Sequence, residues 1–185
     1  MAQNITTSEV RLSFVNVFAP RIDNEGNEKF SVTCLLPKSD TAGLNILKSA
    51  IDAEIEEEKN GIFKGINKEF IKHPIHDGDG YTATGKEFGP ECKGHWVFSA
   101  TTGIDYPPQI VDKKVQPIID RTEMYSGCYG HVAIRVKAYD NQSKGVGFYL
   151  NAIQKTKDGE SLAGSFNVKE AFKVIDDSVS DPFAL

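Results

Sequence analysis

Two stretches in the last third of the chain, residues 131–139 and 146–155, alternate apolar and polar side chains with a period of two. In the first, Val132, Ile134, Val136 and Ala138 face one way and His131, Ala133, Arg135, Lys137 and Tyr139 the other. The turn-forming run Asp140-Asn141-Gln142-Ser143-Lys144-Gly145 separates them. In the returning stretch Val146, Phe148, Leu150 and Ala152 share a side, opposite Tyr149, Asn151, Ile153 and Lys155. Such a pair is an antiparallel hairpin with one wet face, and a lone hairpin is marginal in water. The rest of the chain must therefore supply more strands and a common core.

It does so unevenly. Residues 9–18 alternate, with Leu12, Phe14 and Phe18 set against Arg11, Ser13, Val15 and Val17. After the turn cluster Asp23-Asn24-Glu25-Gly26-Asn27, residues 29–36 return, predicting a second hairpin. Ser39 or Asp40 then caps a helix whose stripe is Leu44, Leu47, Ile51 and Ile55. Glu54, Glu56, Glu57 and Glu58 crowd its end and read as a solvated face, and Asn60-Gly61 stops it. Residues 62–94 lack periodicity and read as a long loop insertion with a short helix at most. Strand character returns over 95–100, where Trp96, Phe98 and Ala100 share a face. Pro108-Gln109-Ile110-Val111-Asp112 is extended, Lys113-Lys114 turns, and 115–119 resumes around Pro117. Residues 168–175 form a last short helix or strand. The sum is a mainly β chain with minor α, read as an OB-fold-like antiparallel β-barrel with one helix and long loop insertions. Periodicity alone equally permits another barrel or a sandwich.

The chain has 185 residues, which suits one domain over residues 1–175 followed by a tail over 176–185. No apolar run approaches the ~20 residues of a membrane span, and residues 1–11 lack a basic-then-apolar leader pattern, so the expected location is cytoplasmic, with no membrane partner. Cys34, Cys92 and Cys128 are expected as reduced thiols, Cys34 in the core. The net charge of −5 counts against a polyanion ligand, but three of the acidic residues, Asp176, Asp177 and Asp181, lie in the tail, which has no basic residue. A nearly neutral body can carry a basic groove.

The late hairpin presents the chemistry a nucleic-acid single strand requires: cations for phosphates and flat rings for bases. Arg135, Lys137 and Lys155 supply the cations, with Lys93, Lys113, Lys114 and Arg121 from loops. Tyr139 and Tyr149 supply rings, joined by Tyr106, Tyr125, Tyr129 and Trp96, although the neighbours of Trp96 point it inward. Outer positions of any half-solvated strand would also look like this. A second constellation, His73-x-x-His76 and Cys92-x-x-His95, has zinc-ligand spacing and would found a zinc-assisted nuclease or hydrolase. Asp77-Gly78-Asp79-Gly80 lacks the ligands of a calcium loop and reads as a turn. No phosphate loop, dinucleotide fingerprint or nucleophile elbow occurs, and neither Ser126 nor Cys128 has a base or cation beside it. No catalytic residue, metal or cofactor is assigned. The tail, acidic and ending Asp181-Pro182-Phe183-Ala184-Leu185, can compete with DNA for a basic groove or offer Phe183 as an anchor to a partner.

Gly94-His95-Trp96-Val97-Phe98, the 108–112 segment, Tyr125-Ser126-Gly127-Cys128-Tyr129-Gly130, residues 145–155 and Asp158-Gly159-Glu160 follow one another in order. In these segments the chain resembles the family of tailed-bacteriophage single-stranded DNA-binding proteins, over residues 8–164 and most specifically over 125–164. The resemblance implies an OB-fold, sequence-independent binding of single-stranded DNA, and a role in phage replication, recombination or repair. The acidic, Phe-containing end resembles tails of single-strand binders that recruit replication or recombination proteins, except that Ala184-Leu185 follow the Phe. A homo-oligomer is left open, as is a virion structural or adaptor protein sharing the barrel.

Overall fold

The computed structural model describes residues 3–163 and 171–175. Eight strands and one α-helix form in the order β1 (Gln3–Thr6), β2 (Val10–Ile22), β3 (Glu28–Pro37), α1 (Thr41–Glu57), β4 (His76–Asp77), β5 (His95–Gly103), β6 (Gln109–Val111), β7 (Tyr129–Asp140) and β8 (Lys144–Lys157). Five of them close a ring, β2-β3-β5-β8-β7 and back to β2. Numbered within the ring by chain order this is 1-2-3-5-4-1, with antiparallel neighbours except where β5 meets β8 in parallel at Ala100–Phe148 and Thr101–Tyr149. It is the five-stranded barrel of the OB-fold. β1 adds outside β7, and β6 runs parallel to β8.

The ring closes because each strand buries one set of alternate residues. Leu12, Val32, Cys34, Leu36, Phe98, Ala100, Val132, Ile134, Val136, Phe148 and Leu150 fill the interior. Phe98 meets Phe148 edge to face, centroids 5.3 Å apart. Helix α1 lays Leu44, Leu47, Ala50 and Ile51 on the same core. Asp40, not Ser39, is its cap, accepting from the Gly43 amide at 2.8 Å and from the Ser8 hydroxyl.

The register slips at four places, two between β2 and β3 and two between β7 and β8, and one slip in each pair moves side chains that simple alternation assigns elsewhere. In β8 Asn151 has no partner, since Ala133 pairs with Ala152 and Ile134 with Leu150. The phase of the strand flips there: Ile153 turns fully inward, and the Lys155 side chain, expected outside with Tyr149, is drawn to only 14% exposure. In β2 the register slips between Ser13 and Asn16, so Val17 is buried and Phe14, expected inside with Leu12, is 67% exposed.

The acidic end of α1 is not wholly a solvated face. Glu54 is buried and accepts a 2.8 Å hydrogen bond from the Ala138 amide on β7. The insertion after the helix is largely irregular, as expected, but it is stitched to the barrel. The Lys72 amide donates to Lys144 O and the Val146 amide to Lys72 O, β4 pairs with β5, and one-turn 3-10 helices form at Lys68–Phe70 and Pro90–Cys92. Of the expected 168–175 element, residues 171–175 are described, and 172–175 are exposed and belong to no strand or helix. None of the described helices is long and apolar enough to cross a membrane.

Candidate nucleic-acid interface

The outward residues of β3 and β5 are small and hydroxylated where the inward ones are apolar. Ser13, Thr33 and Ser99 lie in register across β2, β3 and β5, with the Thr33 and Ser99 hydroxyls 3.1 Å apart. The next row runs Asn16, Ser31, Thr101, Tyr149 and Arg135 across all five barrel strands. Ser13, Thr33 and Ser99, with Thr101 and Tyr149 of the second row, floor a groove of about 1190 Å³. Its walls are Lys72-His73-Pro74-Ile75-His76 and the Thr82–Cys92 arm of the insertion, and Phe14, Lys29, Tyr139 and Asn141 close its margins.

The groove therefore lies on the ring's second and third strands, between the β2–β3 turn and the β7–β8 turn. That is the face on which this class of barrel takes its ligands. Besides the buried Phe98 and Phe148, its phenyl and phenol rings are Phe14, Phe88, Tyr139 and Tyr149. The Arg135 guanidinium stands 5.5 Å from the Tyr149 ring, and Lys137 pairs in register with Gly147 on the groove floor. Arg21 comes from the β2–β3 hairpin to the second row beside the groove, donating from Nε to the Ser31 hydroxyl at 2.9 Å. Lys29 is held by Asp23 at 2.9 Å, which pulls the Asp23 carboxyl down to about 2. Lys72, Arg135 and Lys137 form no ion pair among the described residues. Cations stand free beside rings, over a floor of hydroxyls, in an open groove.

Of the residues singled out in the sequence, Tyr139 and Tyr149 line the groove, and Arg135 and Lys137 stand beside it, paired in register with the lining residues Tyr149 and Gly147. A second group gathers at the far end of β8 and is internally satisfied. Lys155 pairs with Asp158 at 2.7 Å and sits 5.4 Å from the Tyr125 ring, whose hydroxyl donates to Asp158 and Gly159. The Lys155 and Tyr125 contacts hold the Asp158 carboxyl below its ordinary range. Tyr129 lies between Arg11 and Lys157, at 5.8 and 4.6 Å, and Lys157 pairs with Glu9. Lys113 borders this cluster, and Lys114 occupies the turn after β6. Tyr106 is exposed in the β5–β6 loop, Arg121 begins an exposed 3-10 turn, and Lys93 precedes β5. Trp96 packs on the core with the Lys38 ammonium 4.9 Å from its ring. The tail residues Asp176, Asp177, Asp181 and Phe183 lie outside the described residues.

The sequence reading missed Phe14, Arg21, Lys29, Lys72 and the hydroxyl floor. The spacing Ser31-x-Thr33 opposite Ser99-x-Thr101 was visible as polar positions alternating with core ones. Phe14 was hidden by its bulge.

The zinc constellation does not assemble. His76 is in β4, Cys92 is buried against Leu35 and Val97, and His95 Nδ1 lies 2.7 Å from Lys93 O. Among the described residues no three His, Cys, Asp or Glu side chains converge as a metal site would need. His73 and His76 line the groove wall instead, and burial, with nearby cations, keeps the His73 imidazole below its usual pKa.

A closed five-stranded barrel with an aromatic, hydroxylated and cationic groove on this face defines an OB-fold binding protein. Comparison with known proteins narrows the class. The family model described as the ssDNA-binding protein of Enterobacter phage Enc34 matches residues 3–183, and the chain belongs to that family. It is accordingly a binding protein of phage type and not an enzyme. The structure of the bacteriophage Enc34 single-stranded DNA-binding protein in complex with ssDNA superposes with a TM-score of 0.72 at 27% identity, covering 86% of this chain and 89% of that one. The gp2.5 single-stranded DNA-binding protein of bacteriophage T7 shares the fold at 13% identity, with a TM-score of 0.55 over 97% of this chain and 98% of that one. A putative protein p50 of Acyrthosiphon pisum secondary endosymbiont phage 1 is 29% identical over 167 residues, 86% of each chain.

Proposed function

We propose that the chain binds single-stranded DNA, without sequence preference, in the groove on β3 and β5. The observation that carries this is the union of unpaired cations and rings over that floor. Arg135, Lys137, Lys72 and Arg21 meet phosphates, Tyr139 and Tyr149 stack on bases, and the hydroxyls of Thr33, Ser99 and Thr101 donate to backbone oxygens. None of these contacts reads a base edge, which is why sequence does not matter. The Enc34 relative, described in complex with ssDNA, supports the reading.

The barrel of residues 1–175 does the binding, and residues 176–185 act as an acidic tail. The tail competes with DNA for the groove and presents Phe183 to replication or recombination proteins. The work belongs to phage DNA replication, recombination or repair in the cytoplasm of the infected host. Titration of labelled single- and double-stranded oligonucleotides at low salt tests the proposal. Saturable binding of single strands of mixed sequence is expected, and no single-strand binding at low salt refutes it.

A further inference from the structure

Phe14 is the one groove ring whose backbone is bent in order to present it. Its φ of 45° lies in the left-handed region, which an aromatic residue rarely enters and which stores strain. The bulge between Ser13 and Asn16 makes room for it, and the Asn16 side-chain amide donates to Phe14 O at 3.1 Å, pinning the bend. The outcome is a phenyl ring 67% exposed between buried Ser13 and buried Val17. A bend in β2 needs no ring: glycine would take this φ without strain and expose no apolar surface. Both costs are borne by the side chain, and the side chain lies at the groove.

We infer that Phe14 is a base-stacking residue that forms the β2 bank of the binding groove, opposite Tyr149. The inference rests on the single-strand reading above. Ser13, the neighbour of Phe14, shares a row with Thr33 and Ser99, and Tyr149 lies one strand beyond β5, so three strand spacings, roughly 14 Å, separate the two rings' strands. Bases between these banks lie over the hydroxyl floor, and a base on Phe14 marks one edge of the footprint. Stacking on a face shared by every base keeps the site indifferent to sequence.

The test pairs affinity with stability in full-length protein, using a labelled oligo-dT strand. Phe14→Gly is expected to weaken binding roughly tenfold while its thermal midpoint stays level or rises, because the left-handed strain is released. Phe14→Trp is expected to retain binding and to gain a fluorescence change on adding the strand that exceeds the change from Trp96 in the unsubstituted protein. Undiminished affinity in Phe14→Gly, or a silent tryptophan at position 14, overturns the inference while leaving the groove proposal intact. Weaker binding accompanied by a lower midpoint also overturns it, by assigning the ring to the fold. If the unsubstituted protein does not bind, the groove proposal fails and this inference falls with it.

Discussion

The groove's charges set a salt dependence that can be worked out before any measurement. Four cations lie in or beside it with no carboxylate partner among the described residues: Arg135 beside Tyr149, Lys137 opposite Gly147, Lys72 in the wall, and Arg21 over Ser31. Lys29 is set aside because Asp23, ionised down to about pH 2, already holds it. Each phosphate neutralised on a single strand contributes about −0.7 to the slope of log affinity against log salt, so four give about −2.8. Affinity should then fall about 50-fold between 50 and 200 mM monovalent salt. Replacing Arg135 and Lys137 together by alanine should halve the slope to about −1.4 and the loss to about 7-fold. The paired cations supply the contrast. Lys155 and Lys157 are held by Asp158 and Glu9, so Lys155→Ala with Lys157→Ala should leave the slope unchanged. Fluorescence polarisation of a labelled oligonucleotide across a salt series reads all three. If the Arg135/Lys137 variant keeps the full slope, or the Lys155/Lys157 variant flattens it, the groove is not where the phosphates lie.

Three further outcomes test the frame around the site. Glu54→Ala leaves the Ala138 amide without its acceptor in a buried position and should cost about 1.5–3 kcal/mol in denaturant unfolding, with Glu54→Gln costing less because an acceptor oxygen remains. The arm of the insertion is clasped by Lys38, which bonds Asp77 and Asp79, and those bonds depress both carboxyl pKa values. The clasp is therefore fully formed at neutral pH and weakens as the pH falls through the depressed values, so the protection of the Gly78 and Gly94 amides, taken as exchange relative to the intrinsic rate at each pH, should fall in acid, and Lys38→Met should lessen that pH dependence. Deleting residues 176–185 should tighten single-strand binding, most visibly at low salt, and should abolish capture of at least one replication or recombination protein; unchanged affinity would remove the tail from the groove.

What could be read from the sequence was whatever repeats along one element. The face of β7 from Val132 to Ala138 is built as its alternation predicts, and so is β8 as far as Leu150. The stripe Leu44, Leu47 and Ile51 packs as a helix face should. The same regularity placed Arg135, Lys137, Tyr139 and Tyr149 together, because cross-strand register follows once the turn is located. It failed where one residue was inserted. A bulge leaves composition untouched and reverses every side chain after it, so Lys155 and Phe14 were both assigned the wrong side. Glu54 was obscured differently: it belongs to a run of carboxylates, and only its position over the β7 amide separates it from Glu56 and Glu58.

The misassigned and the missed residues share a cause that bears on the site itself. An OB barrel needs local breaks in pairing to coil five strands into a ring, and its ligand face is walled by the loops between them. The binding residues beyond the β7–β8 pair thus gather where periodicity is weakest, at the Ser13–Asn16 slip, the β2–β3 hairpin that carries Arg21, and the insertion that carries Lys72. The regular strands supply a floor of serine and threonine, which any solvated sheet could show. What makes that floor a binding surface is the set of groups brought to its margins: Lys72, Arg21 and a strained phenylalanine, added to the Arg135 and Lys137 that the regular strands carry. Removing charge from a margin should change the salt slope, and removing the ring should lower affinity without altering it, because stacking releases no counterions. Parallel salt series on Phe14→Gly and on Arg135→Ala with Lys137→Ala should therefore separate: equal intercept losses with different slopes would assign base and phosphate contacts to different banks, whereas a flattened slope in Phe14→Gly would show that the ring holds the cations in place and touches no base.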